Sequence, residues 1–312
     1  MSRVLVTGAS GLIGSRALHP LRERGFDVHA VARRPAAGAP GGVSWHAADQ
    51  LDAAQRRALV AETRASHLLH LAWYAEPGAF WTAPENAAWT SATIALAEEF
   101  AAAGGRRAVI AGTCAEYDWT AAQPLREDAP TAPGTLYGVC KDATHRVVAA
   151  LAEPLGLAVA WGRVFFLYGP GEDERRLVAG VARGLAAGER VPTSAGAQVR
   201  DFLHVGDVAA AFAAIVASDV TGPVNVASGE GVAVRDVVEL IARHSGRTDL
   251  LDVGALPMRP GDPPALVADV TRLREEVGFV PRVALEDGLR ETVAWWRERL
   301  GTGAGADPPA RG

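Results

Sequence analysis

Short apolar runs alternate with longer stretches of helical period through the first half of the chain. That pattern argues for a parallel sheet with helices packed on both of its faces. Arg3 to Thr7 (RVLVT) reads as a buried strand, followed by a glycine-rich turn and a helix over about Ser15 to Arg24. Asp27 to Ala32 reads as a second strand, 55–65 as a helix, and His67 to Ala72 as a third strand. A helix over Trp89 to Ala103 leads into strand Arg107 to Ala111, and one over Tyr137 to Ala152 into strand Leu157 to Phe165. Beyond Tyr168 the pattern loosens into loops marked by YGPGE, GPVNVASGEG and RPGDPP. Helices are expected there over Ala209 to Ala217, Val234 to His244 and Leu285 to Leu300. The organisation this predicts is a dinucleotide-type domain over 1–167, to which some later segments return, and a smaller substrate-binding domain over 168–300. A flexible tail is expected over 301–312.

Composition narrows the classes. With 49% hydrophobic and 21% charged residues in 312, the bulk of the chain can bury a core, which excludes disorder. The net charge of -5 leaves no basic excess to neutralise phosphates, so nucleic acid is not an expected partner. No apolar run approaches the roughly 20 residues of a membrane span, and Met1-Ser2 run straight into the first strand without a leader pattern. The cytoplasm is the expected compartment. Cys114 and Cys140 cannot build a disulfide framework, and no Cys/His cluster has metal spacing, so no metal is expected. The 31 basic residues are 30 arginines and one lysine, Lys141. A composition bias toward Arg explains that count, and it makes the surviving lysine a candidate for a role that Arg cannot fill.

The turn Thr7-Gly8-Ala9-Ser10-Gly11-Leu12-Ile13-Gly14 follows the first strand and opens the first helix. Glycines at such a place allow a tight turn, close backbone approach to a pyrophosphate and close helix–strand packing, and the helix N-terminus favours the anion. This makes the sheet of the Rossmann type. At the end of the second strand an NAD site usually carries an acidic residue for the ribose 2′-hydroxyl. Here the run is Val31-Ala32-Arg33-Arg34-Pro35, whose paired guanidiniums suit a 2′-phosphate, so NADP(H) is favoured over NAD(H).

Tyr137-Gly138-Val139-Cys140-Lys141 puts a phenol and an ammonium four apart on one helical face, where the charge should lower the phenol's pKa. Thr113, after strand Arg107 to Ala111, supplies a hydroxyl at a strand's carboxyl end, where sheets of this kind bind ligands. Together with TGASGLIG at 7–14, Asp49-Gln50, HLAW at 70–73, Asn86, GTCAEY at 112–117 and YGPG at 168–171, these residues make the chain resemble a known family. It is similar to the extended short-chain dehydrogenase/reductases, in the NAD-dependent epimerase/dehydratase group that acts on nucleotide sugars. The likeness continues through RDFLHVGDVA at 200–209, NVASGEG at 225–231, RPGD at 259–262 and the closing FVPRVALEDGLRETVAWW.

The resemblance implies roles. Thr113 would hydrogen-bond the substrate oxygen, Tyr137 would exchange its proton, and Lys141 would hold the nicotinamide ribose. Gly8, Gly11, Leu12, Ile13 and Gly14 would cradle the pyrophosphate, with Leu71 and Ala72 beside the cofactor's middle. Asp49 and Gln50 would lie by the adenine, although Asp49 could simply cap the next helix. Arg200, Arg259 and Asp262 match positions that hold the diphosphate and ribose of a nucleotide sugar, although Arg200 could instead pair with Asp201 or Asp207. Trp73, Tyr74, Trp81, Trp89 and Trp119 crowd the same region, as sugar-stacking faces or as core. The family also implies a homodimer formed through helices near 89–103 and 137–152.

Departures from the family pattern narrow the reaction. Sugar 4,6-dehydratases carry an Asp-Glu pair after the catalytic threonine, where this chain has Cys114-Ala115; Glu116 comes one place too late and should point elsewhere. Where many sugar epimerases have Asn, this chain has Phe166. GDP-fucose-synthase-like enzymes use a further Cys and His that find no counterpart in register. The reading that remains is NADPH-dependent reduction of a keto group on a nucleotide-linked 4-keto-6-deoxyhexose. The alternatives are a nucleotide-sugar 4-epimerase and a non-catalytic NADP-sensing protein of the same fold.

Overall fold

The computed structural model describes residues 1–35 and 42–301; the expected tail lies, from residue 302 onward, outside the described residues. In the first half the elements are β1 (Arg3–Thr7), α1 (Leu12–Glu23), β2 (Asp27–Ala32), β3 (Ser44–Ala47), α2 (Ala53–Thr63), β4 (His67–His70), α3 (Glu85–Ala102), β5 (Arg107–Thr113), α4 (Leu136–Ala152) and β6 (Ala158–Val164). There follow β7 (Phe166–Tyr168), α5 (Leu177–Ala186), β8 (Val191–Thr193), β9 (Val199–His204), α6 (Val205–Ala217) and β10 (Gly222–Val226). The chain closes with β11 (Gly231–Ala233), α7 (Val234–Ser245), β12 (Leu251–Val253), β13 (Ala265–Leu266) and α8 (Leu285–Gly301).

Seven strands form one sheet in the order β10-β6-β5-β4-β1-β2-β3, and every neighbouring pair is parallel. The inner strands are continuous apolar runs because both faces are covered. On one face α1 and α6 contribute Leu18, Leu21, Val208 and Phe212 to the core; on the other α2, α3 and α4 contribute Leu59, Leu96, Phe100 and Val148. The chain runs outward from β1 through β2 to β3, then returns to the other side of β1 as β4. The carboxyl ends of β1 and β4 therefore flank a topological switch point, the crevice where such sheets take a dinucleotide.

The later segments divide. α6 and β10 complete the large sheet, β10 pairing with β6 from Gly222 opposite Ala160 to Val226 opposite Val164. The rest forms a second layer: β9 pairs with β7, β11 and β13, while α5, α7 and α8 bury Val178, Leu185, Ile241 and Leu289 together.

Several elements differ from the sequence expectation (α6, for one, begins at Val205 rather than Ala209), and three of them show a local reason. α1 begins at Leu12, three residues early, because the Gly11 amide closes the turn onto the Gly8 carbonyl at 2.9 Å and Gly11 serves as the cap. α3 begins at Glu85, since Pro84 has the φ of −63° that leads into a helix and Glu85 complements its N-terminus. β3 (SWHA) has no periodic apolar signal; it is a half-exposed edge strand that exists by pairing with β2.

Candidate active site

The phosphate turn is built from close approaches. Gly8 has φ +69°, and a Cβ there would stand 2.7 Å from the Ala72 backbone nitrogen. A Cβ at Gly14 would stand 2.1 Å from the Gly8 carbonyl oxygen, so α1 can begin directly under the turn only as glycine. The Leu71 amide donates to Thr7 at 3.2 Å, which brings Gly8, Leu71 and Ala72 into one corner of the crevice. The first turn of α1 carries no acidic residue, leaving its positive end clear for an anion.

Arg33 and Arg34 are exposed immediately after β2. Asp49 does not cap the next helix: its carboxylate accepts from Leu51 at 2.9 Å, and Asp52 caps α2 by accepting from Ala54 and Gln55. Gln50 is buried, and its side-chain amide has no hydrogen-bond partner among the described residues. A buried amide with a free donor and acceptor is the group an adenine edge would satisfy. A dinucleotide thus fits the turn, the helix terminus and Gln50.

The three residues expected to react lie around the carboxyl end of β5. Thr113 ends that strand, its hydroxyl accepting from the Ala115 amide at 3.2 Å. A Cβ at Gly138 would stand 2.4 Å from the Ala115 carbonyl, so α4 docks against the turn after β5 and delivers Tyr137 to Thr113. Thr135 caps α4, and the Tyr137 amide donates to the Trp81 carbonyl at 3.1 Å. The Tyr137 ring meets Phe80 edge to face at 4.9 Å and Trp81 at 5.9 Å. Burial pushes the phenol's pKa above its ordinary value, and a hydrogen bond with the Thr113 hydroxyl opposes that shift.

Lys141 sits one helical turn on and is buried. Its ammonium donates to the Ala111 carbonyl at 2.7 Å and lies 3.7 Å over the Trp73 ring. Burial lowers its pKa to about 7, with the Glu116 carboxylate pulling the other way. The expectation that this ammonium depresses the phenol is corrected here. Burial outweighs every opposing influence on the phenol, while the Lys141 ammonium is held by the Ala111 carbonyl and the Trp73 ring.

The aromatic residues divide between core and cleft. Trp73 donates to the Asn86 side chain at 2.8 Å and packs on Trp89 at 6.3 Å, so both are props for the lysine. Trp119 donates to the Cys114 carbonyl at 3.0 Å. Cys114 is buried and its thiol is pushed up to about 12, chiefly by burial, which makes it inert at neutral pH.

Arg200 is buried and pairs with Asp262 at 2.6 Å, its guanidinium 5.5 Å over the Phe166 ring. Neither of the other expected partners takes it. Asp201 accepts from Ser228, Gly229 and Ala268, and Asp207 holds the amides of Arg282 and Val283. The Asp262 amide donates to the Arg259 carbonyl at 3.2 Å, so Arg200, Arg259 and Asp262 share one corner, with the Arg259 side chain exposed. Sequence reasoning overlooked the task of Glu116, although Thr113-Cys114-Ala115-Glu116 has the spacing of a capping box, and the structure forms one.

A parallel sheet with its glycine turn at the switch point, and Thr113, Tyr137 and Lys141 beside it, is the architecture of the Rossmann-type, nicotinamide-dependent oxidoreductases and epimerases. Residues 4–227 match the model of the NAD dependent epimerase/dehydratase family, and the chain belongs to that family. It is similar to the UDP-glucose 4-epimerase of Azospirillum brasilense, 30% identical over 96% of this chain and 92% of the relative. The UDP-glucose 4-epimerase of Streptomyces lividans is 31% identical over 89% and 91%. In structure it resembles the Thermus thermophilus UDP-glucose 4-epimerase in complex with NAD, with a TM-score of 0.82, 29% identity and coverage of 95% and 99%. Among the described residues no helix is long and apolar enough to cross a membrane.

Proposed function

We propose that this enzyme reduces a keto group on a nucleotide-linked 4-keto-6-deoxyhexose, taking its reducing equivalents from NADPH. The observation that carries the reading is the end of β2, where Arg33 and Arg34 are exposed and no carboxylate stands between Ala32 and Pro35. Two guanidiniums there suit a 2′-phosphate, and a carboxylate would repel one. A preference for NADPH suits net reduction, whereas a redox-neutral reaction needs no reducing pool.

NADPH, when bound, supplies the hydride; the chain's residues handle the oxygen. Thr113 and Tyr137 would hold the carbonyl oxygen from one side. The raised pKa of Tyr137 keeps its proton in place at neutral pH, ready to be donated as negative charge develops on that oxygen. Lys141, reaching from the same helical face, would hold the nicotinamide ribose. Arg200, Arg259 and Asp262 would hold the diphosphate and ribose of the substrate. Dehydration lacks its acid–base pair: Cys114 is buried and inert, Ala115 has no functional group, and Glu116 is engaged with Arg163 at 2.8 Å.

A 4-epimerase is the second reading, and the relatives favour it, since those compared above are UDP-glucose 4-epimerases and the Thermus structure holds NAD. It would use the same three residues for oxidation and re-reduction. Against it stand the arginine pair and Phe166, whose ring packs on Arg200 where many epimerases have Asn. In either reading Leu136, Val139 and Val147, exposed on α4, support pairing of two copies through that helix.

Thermal-shift titration tests the binding half of the proposal. NADPH should stabilise the protein more than NADH, and a nucleoside diphosphate should add to the NADPH effect. Equal shifts with NADH would favour the epimerase. No shift with any nucleoside diphosphate would remove the nucleotide sugar from both readings.

A further inference from the structure

The acid that comes one place too late for dehydration is not idle. Glu116 has no solvent exposure, and its carboxylate accepts from three groups on two strands. The Thr113 amide donates at 2.8 Å, the Trp161 indole at 2.9 Å, and the Arg163 guanidinium at 2.8 Å. Gly112 makes room for this meeting, since a Cβ there would stand 2.1 Å from the Trp161 indole nitrogen and 2.7 Å from the Glu116 carboxylate. Arg163 is itself fixed, donating to the Glu127 carbonyl at 3.0 Å and lying 4.5 Å over the Tyr117 ring. On the far side the Trp161 ring stacks on His145 at 5.0 Å, one helical turn beyond Lys141 on α4.

We propose that Glu116 is a positioning residue for the reaction at Thr113, Tyr137 and Lys141. It pins the backbone of Thr113 and holds a buried carboxylate on the indole nitrogen of Trp161, whose ring centre lies 6.0 Å from the Lys141 ammonium. This rests on those three residues being the reacting set. Its place in the sequence fits the role: the carboxylate reaches back past Thr113 into the sheet, so it cannot turn toward substrate without abandoning Arg163 and Trp161. The pair of positions that carries acid–base chemistry in sugar 4,6-dehydratases is occupied here by the Cys114 thiol and the Ala115 methyl, and the acid that follows them becomes part of the foundation.

The groups facing the ammonium leave Glu116 as the charge that acts. Tyr137, one turn back on α4, is held neutral by burial. His70 on β4, bonded to Thr7 and Thr93, is driven down to about 3 by burial first and by Lys141 second, and is neutral. The buried Cys114 thiol keeps its proton. Trp73 and Trp161 offer ring faces. Arg163 lies behind Glu116 and is the opposing charge. Burial raises the Glu116 carboxyl, and the permanently charged Arg163 guanidinium, the Trp161 indole and the Thr113 amide work against that shift by favouring the carboxylate.

One experiment reads this directly, because the chain has a single lysine. Protein grown on lysine carbon-13 labelled at the ε position gives one side-chain resonance, and its pH titration reports Lys141 without substrate or turnover. Glu116→Gln should lower the titration midpoint by about one pH unit or more, whereas Glu116→Asp keeps the charge and should hold the midpoint near that of the parent. A merely structural role would destabilise both variants without separating their midpoints. Glu116→Met serves as the neutral variant if Glu116→Gln does not fold. A folded neutral variant whose midpoint is unchanged or raised overturns the proposal. Failure of the NADPH reaction with these midpoints displaced as expected would instead count against the functional reading alone.

Discussion

Removing the Lys141 charge should alter how stability depends on pH. The lysine is buried and its pKa falls to about 7, against about 10.4 for an unfolded lysine. Between those values the unfolded chain binds a proton that the folded chain does not, so this group makes stability rise with pH. From pH 7 to 9 the linkage amounts to about 2 kcal/mol, at roughly 1.4 kcal/mol per unit of full proton difference. For a chain of this size that is about 4 °C in apparent melting temperature. Glu172 works in the opposite direction, because burial raises it to about 8 and its folded form holds a proton that the unfolded chain has lost. The comparison is therefore between the parent and Lys141→Met, in which every other group is shared. Unfolding followed by intrinsic fluorescence at a fixed scan rate, without cofactor, from pH 7 to 9, should show the parent gaining about 4 °C relative to the variant. Parallel curves would mean that the ammonium is not destabilised by burial, and that the packing around Trp73 and Ala111 does not set its charge.

Three further substitutions probe separate parts of the site. Tyr137→Phe keeps the edge-to-face contacts with Phe80 and Trp81 but removes the proton donor; turnover should fall by about a hundred- to ten-thousandfold with NADPH affinity unchanged in a direct titration. Arg33→Ser with Arg34→Ser should weaken NADPH by at least about tenfold and leave NADH nearly unaffected, measured by fluorescence quenching, and an equal loss for both cofactors would remove the 2′-phosphate assignment. Gly14→Ala places a methyl 2.1 Å from a backbone carbonyl and should cost about 1–3 kcal/mol in stability along with cofactor binding, whereas a well-folded variant with normal NADPH affinity would count against the close-packed turn.

The sheet was legible because its inner strands are buried on both faces and read as unbroken apolar runs, as β1 and β5 do. β3 was not, because an edge strand half in water carries no such signal. The glycine turn was legible since each glycine answers a steric demand that the structure displays. The Thr/Tyr/Lys set could be placed from spacing and resemblance, but the direction of the Tyr137 shift could not. That direction is set by the burial of the phenol, and the rings of Phe80 and Trp81 that pack on it come from a segment more than fifty positions away. The ion pair of Arg200 was sought at Asp201 or Asp207 and lies instead at Asp262, which is 62 positions away in sequence and is brought near by the pairing of β13 with β9. Glu116 carried its own signal in the capping-box spacing, while its bond to Arg163 spans 47 positions and needed the sheet.

Net reduction at a sugar carbonyl leaves an isotopic trace, and deuteride transfer reads it. With NADPH deuterated at the transferable position and a nucleoside-diphosphate 4-keto-6-deoxyhexose as substrate, the product should carry one deuterium at C4 for each NADPH oxidised. Interconversion of C4 epimers of a nucleotide sugar, with no deuterium gained and no NADPH consumed, would refute the reductase and establish the epimerase in its place.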